Sequence, residues 1–180
     1  RIDEVSDAKG LPAIVQRKST RWLVPKPLDP ASLDLRDFAQ RIEAIRESWR
    51  NALTLREERY EDDELITTGF RPPQIGAAHA VKSHWVVSDA PATLVMPTGT
   101  GKTETMLALL VSEPVERLLV VVPSDQLRTQ IARKFVTLGV LKSLGLLAAT
   151  AGYPIVTTLK RAPTTLEEVD ALFGRSQVIV

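Results

Sequence analysis

Met96-Pro97-Thr98-Gly99-Thr100-Gly101-Lys102-Thr103-Glu104 decides how the rest of the chain is read. Gly99 and Gly101 let the backbone turn through conformations closed to a residue with a Cβ, so successive N–H groups can converge on one point. Such a loop cradles phosphate when a strand enters it and a helix leaves it. Lys102 then reaches the β- and γ-phosphates, Thr103 holds Mg²⁺, and the helix offers its positive N-terminus to the anion. Both neighbours are expected here. Thr93 to Met96 is an apolar run of strand length, and Thr105 to Val111 is apolar without a breaker. The general pattern is G-x-x-x-x-G-K-[ST], and Met96 stands at its first glycine position.

Composition bounds the classes open to this chain. Its 180 residues suit one domain, or one domain with an arm, and can bury a real core. Apolar residues at 44% and charged residues at 25% are ordinary for a globular protein. No apolar run reaches the roughly 18 residues that a transmembrane helix needs, and the first residues lack the charged, apolar and small-residue sections of a signal peptide. The absence of cysteine excludes disulfides and thiolate metal sites. A cytoplasmic location is expected. Residues 1–70 carry 12 Lys/Arg against 14 Asp/Glu, and residues 71–180 carry 11 against 8. That mild basic bias is compatible with nucleic acid but falls short of a dedicated binder's footprint. The chain opens at Arg1 and stops at Val180 directly after an apolar run, and it reads as a fragment.

Upstream of the loop, the first thirty residues read as irregular, punctuated by Pro12, Pro25, Pro27 and Pro30, with Trp22-Leu23-Val24 as their one apolar cluster. Asp29-Pro30 then resembles a helix cap with proline in the first turn. Leu35, Phe38, Ile42, Ile45, Trp49 and Ala52 follow at helical spacing, with charges opposite, which predicts an amphipathic helix running to about Arg59. Its apolar stripe either packs on the domain or offers a protein partner a seam over residues 31–59. Glu61 to Glu64 close this arm, expected in solvent.

From Thr67 the pattern turns to alternating strands and helices. A helix from Pro72 to about Val86 precedes the strand at 93–96, and the post-loop helix runs to about Ser112. Arg117 to Val122 reads as a strand buried on both faces of a parallel sheet. A helix from Ser124 places Leu127, Ile131 and Phe135 four apart, with Gly139 as its stop. Pro154 to Thr158 is a further strand. Thr165 with Glu168 forms a capping box for the next helix, and Gln177 to Val180 begins another strand. The fold class is therefore α/β: an open parallel sheet with flanking helices, preceded by a helical N-terminal arm over residues 1–69.

Two stretches flank the loop in ways that bear on chemistry. Phe70-Arg71-Pro72-Pro73-Gln74 opens the helix before it, and a glutamine amide there can pair with the N6/N7 edge of adenine while Arg71 stacks on the ring. The plain alternative is a proline-started helix with a surface glutamine. Val122-Pro123-Ser124-Asp125-Gln126-Leu127-Arg128-Thr129-Gln130 leaves a strand and enters a helix. Ser124 either caps that helix or joins its free N–H groups in holding a backbone phosphate. Spacing alone leaves both pairs of readings open.

Taken together, these stretches resemble superfamily 2 helicases and translocases of the DEAD/DEAH-like and restriction-translocase kind. Met96 to Glu104 is similar to their motif I, Arg71-Pro72-Pro73-Gln74 to the adenine-contacting glutamine motif, and Val122 to Gln130 to motif Ia. The resemblance implies a RecA-like P-loop NTPase fold, with residues 70–180 a partial ATP-binding domain cut before the Walker B motif. It implies ATP and Mg²⁺ as cofactors, held by Arg71, Gln74, Thr98, Gly99, Thr100, Gly101, Lys102, Thr103 and Glu104, with Thr103 on the metal. Ser124 and Gln130 would contact the nucleic-acid backbone. Asp125 stands where many DEAD-box members carry arginine, which departs from the RNA-specific DEAD-box pattern; the implied substrate is DNA or RNA, with DNA favoured. A second RecA-like domain of the same protein is the implied partner. No acidic cluster follows a buried strand, so residues 1–180 are expected to bind nucleotide without hydrolysing it. The alternatives are another P-loop NTPase, or an interaction module with a vestigial nucleotide fold.

Overall fold

The computed structural model describes residues 2–4, 12–17, 20–25, 35–113 and 115–180. Three short strands come first: β1 (Ile2–Glu4), β2 (Pro12–Arg17) and β3 (Thr20–Pro25). They replace the irregular segment expected there. Pro12 and Pro25 pair across the ends of β2 and β3, where a missing N–H disturbs the ladder least. Between them Ile14, Val15, Trp22 and Val24 supply the β-branched and aromatic residues that suit a pleated surface. Asp29-Pro30, the expected helix start, lies outside the described residues.

Helix α1 (Leu35–Trp49) carries the apolar stripe. Phe38, Ile42, Ile45 and Trp49 are all buried in the main core, so the stripe packs on its own domain. Trp49 adds a hydrogen bond, donating Nε1 to the Gly152 carbonyl at 2.8 Å. The helix ends ten residues short of the expected Arg59, because Asn51 takes a left-handed φ of 56°.

The acidic patch is exposed as expected, but it is a hairpin. Strands β4 (Arg59–Glu61) and β5 (Glu64–Thr67) pair antiparallel around Asp62-Asp63, whose φ angles are 49° and 64°. Two consecutive positive φ values are the signature of the tight turn whose twist matches paired strands, and Asp tolerates them.

Helix α2 (Pro72–Val87) leads to the glycine loop and α3 (Lys102–Ser112) leaves it. There follow β6 (Leu118–Leu119), α4 (Asp125–Thr137), β7 (Val156–Leu159), α5 (Leu166–Arg175) and β8 (Val178–Ile179). Sheet order is β1-β2-β3-β7-β8-β6. The trio β7, β8 and β6 is parallel, with Val178 opposite both Val156 and Leu118. Beyond β7 the sheet turns antiparallel, through Leu23 opposite Val156. The sheet is thus mixed, not purely parallel, and residues of the expected arm share it with the rest.

Two expectations fail at one margin. Residues 93–96 form no strand, because no ladder partner lies beside them among the described residues, and extended backbone becomes a strand only through such pairing. Val95 is 86% exposed. The run through Val122 is not covered on both faces either, since β6 is the sheet's edge and Val121 is 84% exposed. The interior is well packed. Leu107 and Leu110 of α3, Phe135 of α4, and Ile155, Val156 and Val178 of the sheet form one core that fixes α3, and so the loop's exit.

Candidate functional site

The loop between Met96 and Lys102 is held by its carbonyl groups. Gly99 and Gly101 have φ of 81° and 86°, and Gly101 is the N-terminal cap of α3. Arg71 Nη1 donates to the Gly99 carbonyl at 2.8 Å, and Gln74 Nε2 to the Gly101 carbonyl at 3.3 Å. Thr100 Oγ1 and Lys102 Nζ donate to the Pro97 carbonyl at 2.7 and 2.8 Å. Carbonyls engaged in this way leave the opposite N–H direction to an acceptor from outside. The first-turn N–H groups of α3 have no intrahelical partner. Met96 is the one buried residue of the approach, its sulfur 3.9 Å from Thr105 Oγ1.

Fit on the two sides of the loop differs. A Cβ on Gly99 would meet nothing within 4 Å, so that side is open. A Cβ on Gly101 would lie 1.8 Å from Gln74 Nε2, so that side is closed by α2. Gln74 is only 7% exposed, and its Oε1 accepts the Arg71 backbone N–H at 2.7 Å. Its amide is committed to two backbone groups, one at the start of α2 and one in the loop. The surface-glutamine alternative is thereby excluded.

Beside the loop lies a cavity of about 290 Å³. Arg71, Gln74, Gly99, Gly101 and Glu104 all line it, so residues far apart in the chain share one space. Its opposite wall is Val140, Leu141, Leu144 and Leu146, in the turns after α4. Glu58 and Phe70 complete it. A larger cavity of about 450 Å³ lies between α1 and α3, lined by Glu43, Arg46, Trp49, Lys82 and Glu113 among others. It contains no residue of the glycine loop, and size alone does not make it the site.

Thr98 and Lys102 are exposed, and Thr100 and Thr103 are half-buried. Glu104 points its carboxylate to Lys134 Nζ at 2.5 Å, tying α3 to α4. Ser124 caps α4 by accepting the Leu127 N–H at 3.3 Å, and both Ser124 and Gln130 are exposed, away from the cavity. Sequence reasoning missed Glu58, Lys134 and the Val140–Leu146 wall. Glu58 sits among several acidic residues with nothing to single it out, and Lys134 meets Glu104 only through the packing of two helices.

Comparison with known proteins adds one match. Residues 67–150 match the family model described as "Type III restriction enzyme, res subunit". No curated protein and no solved structure matches. The matched segment contains α2, the glycine loop, α3, β6 and α4. Over residues 67–150 this chain is therefore similar to the res subunit of type III restriction enzymes, a superfamily 2 helicase-like domain, and that span is consistent with the N-terminal part of a RecA-like domain.

Proposed function

We propose that this chain is the N-terminal part of an ATP-dependent helicase or translocase acting on nucleic acid, DNA more than RNA, and that the loop from Thr98 to Thr103 holds the phosphates of ATP. One observation carries this reading. Two glycines with left-handed φ deliver the chain into α3 beside an open cradle, and the loop's carbonyls are already occupied on the other side. Backbone N–H groups aimed outward at a helix start are what a phosphate needs.

Each residue then has a task. Lys102, now donating to the Pro97 carbonyl, turns outward to a phosphate, exchanging a neutral acceptor for an anionic one. Thr103, in the first turn of α3, supplies a hydroxyl to Mg²⁺. Arg71 and Gln74 fix the Gly99 and Gly101 carbonyls and so keep the loop in shape. Glu104 stands at the cavity wall, held by Lys134. When bound, Mg-ATP supplies the phosphoanhydride whose cleavage drives movement along nucleic acid, a step that also draws on groups from a second RecA-like domain. Ser124 and the exposed start of α4 meet the nucleic-acid backbone, with Gln130 further along the helix.

The test is binding of a fluorescent ATP analogue with Mg²⁺ by the wild-type chain and by Lys102→Ala. Loss of a charge-assisted phosphate contact should weaken affinity roughly tenfold or more. Equal binding by both proteins would refute the assignment of the loop.

A further inference from the structure

The cavity beside the loop contains one carboxylate that the family match does not reach. Glu58 lies nine residues before the matched segment begins. Its backbone is sewn in place: the Glu58 N–H donates to the Phe70 carbonyl at 2.9 Å, and the Phe70 N–H to the Arg56 carbonyl at 2.7 Å. Gly69 permits this closeness, since a Cβ there would come within 2.3 Å of the Glu57 carbonyl carbon and the Glu58 nitrogen. Arg56 adds bonds to the Thr68 and Leu144 carbonyls at 2.8 and 3.0 Å. The carboxylate is thus carried by a fixed segment, with its side chain 19% exposed.

Its neighbours leave it something to do. Its ion-pair partner, Arg71 Nε, is 3.8 Å away, beyond hydrogen-bonding distance. The same guanidinium is anchored at its far end on the Gly99 carbonyl, so Arg71 spans from the phosphate loop to Glu58. Gln74 has already committed both ends of its amide to the backbone. Glu104, the other carboxylate lining the cavity, is paired with Lys134 Nζ, and the opposite wall of Val140, Leu141 and Leu144 is apolar. A purine in this space meets an apolar wall on one side, and on the other one acceptor-only group beside one donor-only group. Adenine offers the matching pair, an amino group that donates and a ring nitrogen that accepts.

We infer that Glu58 is a specificity-determining residue for the nucleotide base: its carboxylate accepts the 6-amino group of adenine, while Arg71 Nε donates to the adjacent ring nitrogen. This rests on the reading that the neighbouring loop binds ATP. It gives the stretch before the matched segment a part in the nucleotide site.

The experiment compares binding of ATP, purine riboside triphosphate (which lacks only the 6-amino group), GTP and tripolyphosphate to the full chain and to Glu58→Ala and Glu58→Gln. Wild type should bind ATP roughly tenfold more tightly than purine riboside triphosphate, the size of one hydrogen bond to a charged acceptor. Glu58→Ala should erase that ratio while tripolyphosphate binding stays unchanged, which also shows that the variant is folded. Glu58→Gln retains a carbonyl acceptor and should keep part of the preference. An undiminished ratio in Glu58→Ala, or tighter binding of GTP than of ATP by wild type, overturns the role of Glu58 while the phosphate loop stands. Failure of wild type to bind either ATP or tripolyphosphate removes the loop reading and this inference together.

Discussion

The side-chain amide of Gln74 lies against Gly101, donating to its carbonyl oxygen while occupying the space where a Cβ would be. The start of helix α2 is therefore tied to the glycine loop by this amide, beside the Arg71 bond to the Gly99 carbonyl. Gly101 must also keep a φ of 86°. Gly101→Ala meets both obstacles at once, the left-handed backbone and the amide nitrogen at 1.8 Å. It should lose about 1–3 kcal/mol of stability and most nucleotide affinity. Gly99→Ala, with an equally positive φ but open space around it, should retain more of both. Parallel denaturant melts and binding titrations decide the order.

Lys134 and Glu104 form the ion pair that joins α3 to α4. The carboxylate is mostly buried and the ammonium about a third exposed, which places the pair between the weak surface class and the costly buried class. Lys134→Met should cost about 1–2 kcal/mol, largely by stranding Glu104. The double variant with Glu104→Gln should recover part of that loss. A cycle with no coupling would show that the pair contributes nothing to docking these helices.

Helix α1 is held as core, not as an exposed seam. Phe38→Ala, at a fully buried position, should cost about 3–5 kcal/mol in chemical denaturation. Trp49→Phe keeps most of the ring but strands the Gly152 carbonyl, and about 1 kcal/mol is expected. Were α1 a detachable arm, both variants would leave the melt of the sheet unchanged.

Acid should loosen the start of α5 before the core. The Glu168 carboxyl is held down to about 2, first by the Arg161 hydrogen bond and then by the Thr164 backbone N–H. A depressed folded-state value means that the contribution is complete above the ordinary value of 4.5 and is lost as pH falls through about 2. The group is exposed, so the effect on global stability should be small and local. Carboxyl resonances followed from pH 5 to about 2 should show Glu168 titrating only near the bottom of that range. Arg161→Gln should move its midpoint up.

Local signals in the sequence were those that a few consecutive residues determine. The glycine loop, the proline-started α2 and the Ser124 and Thr165 caps were all readable because each depends on neighbours within one turn. What depends on a distant partner was not. Residues 93–96 have the composition of a strand, but pairing decides whether a strand exists, and composition carries no information about pairing. The reverse error occurred at β2 and β3, where prolines at the strand ends masked a good ladder. Gln74 and Arg71, singled out in the sequence for a contact with adenine, do line the cavity. Their bonds to the loop carbonyls were not legible, because these need the three-dimensional approach of α2 to Gly99 and Gly101. Glu58 was invisible for the same reason.

The seam at Gly69 has a practical corollary for protein engineering. Because Glu58 and Phe70 are bonded directly, the entry and exit of the hairpin over residues 59–67 are stapled side by side. That excursion is topologically a lobe, and its tip at Asp62-Asp63 can be lengthened, recoded or replaced by a fluorophore-bearing insert without transmitting strain to the cavity below. A sensor grafted there would look down on the cavity from a fixed perch.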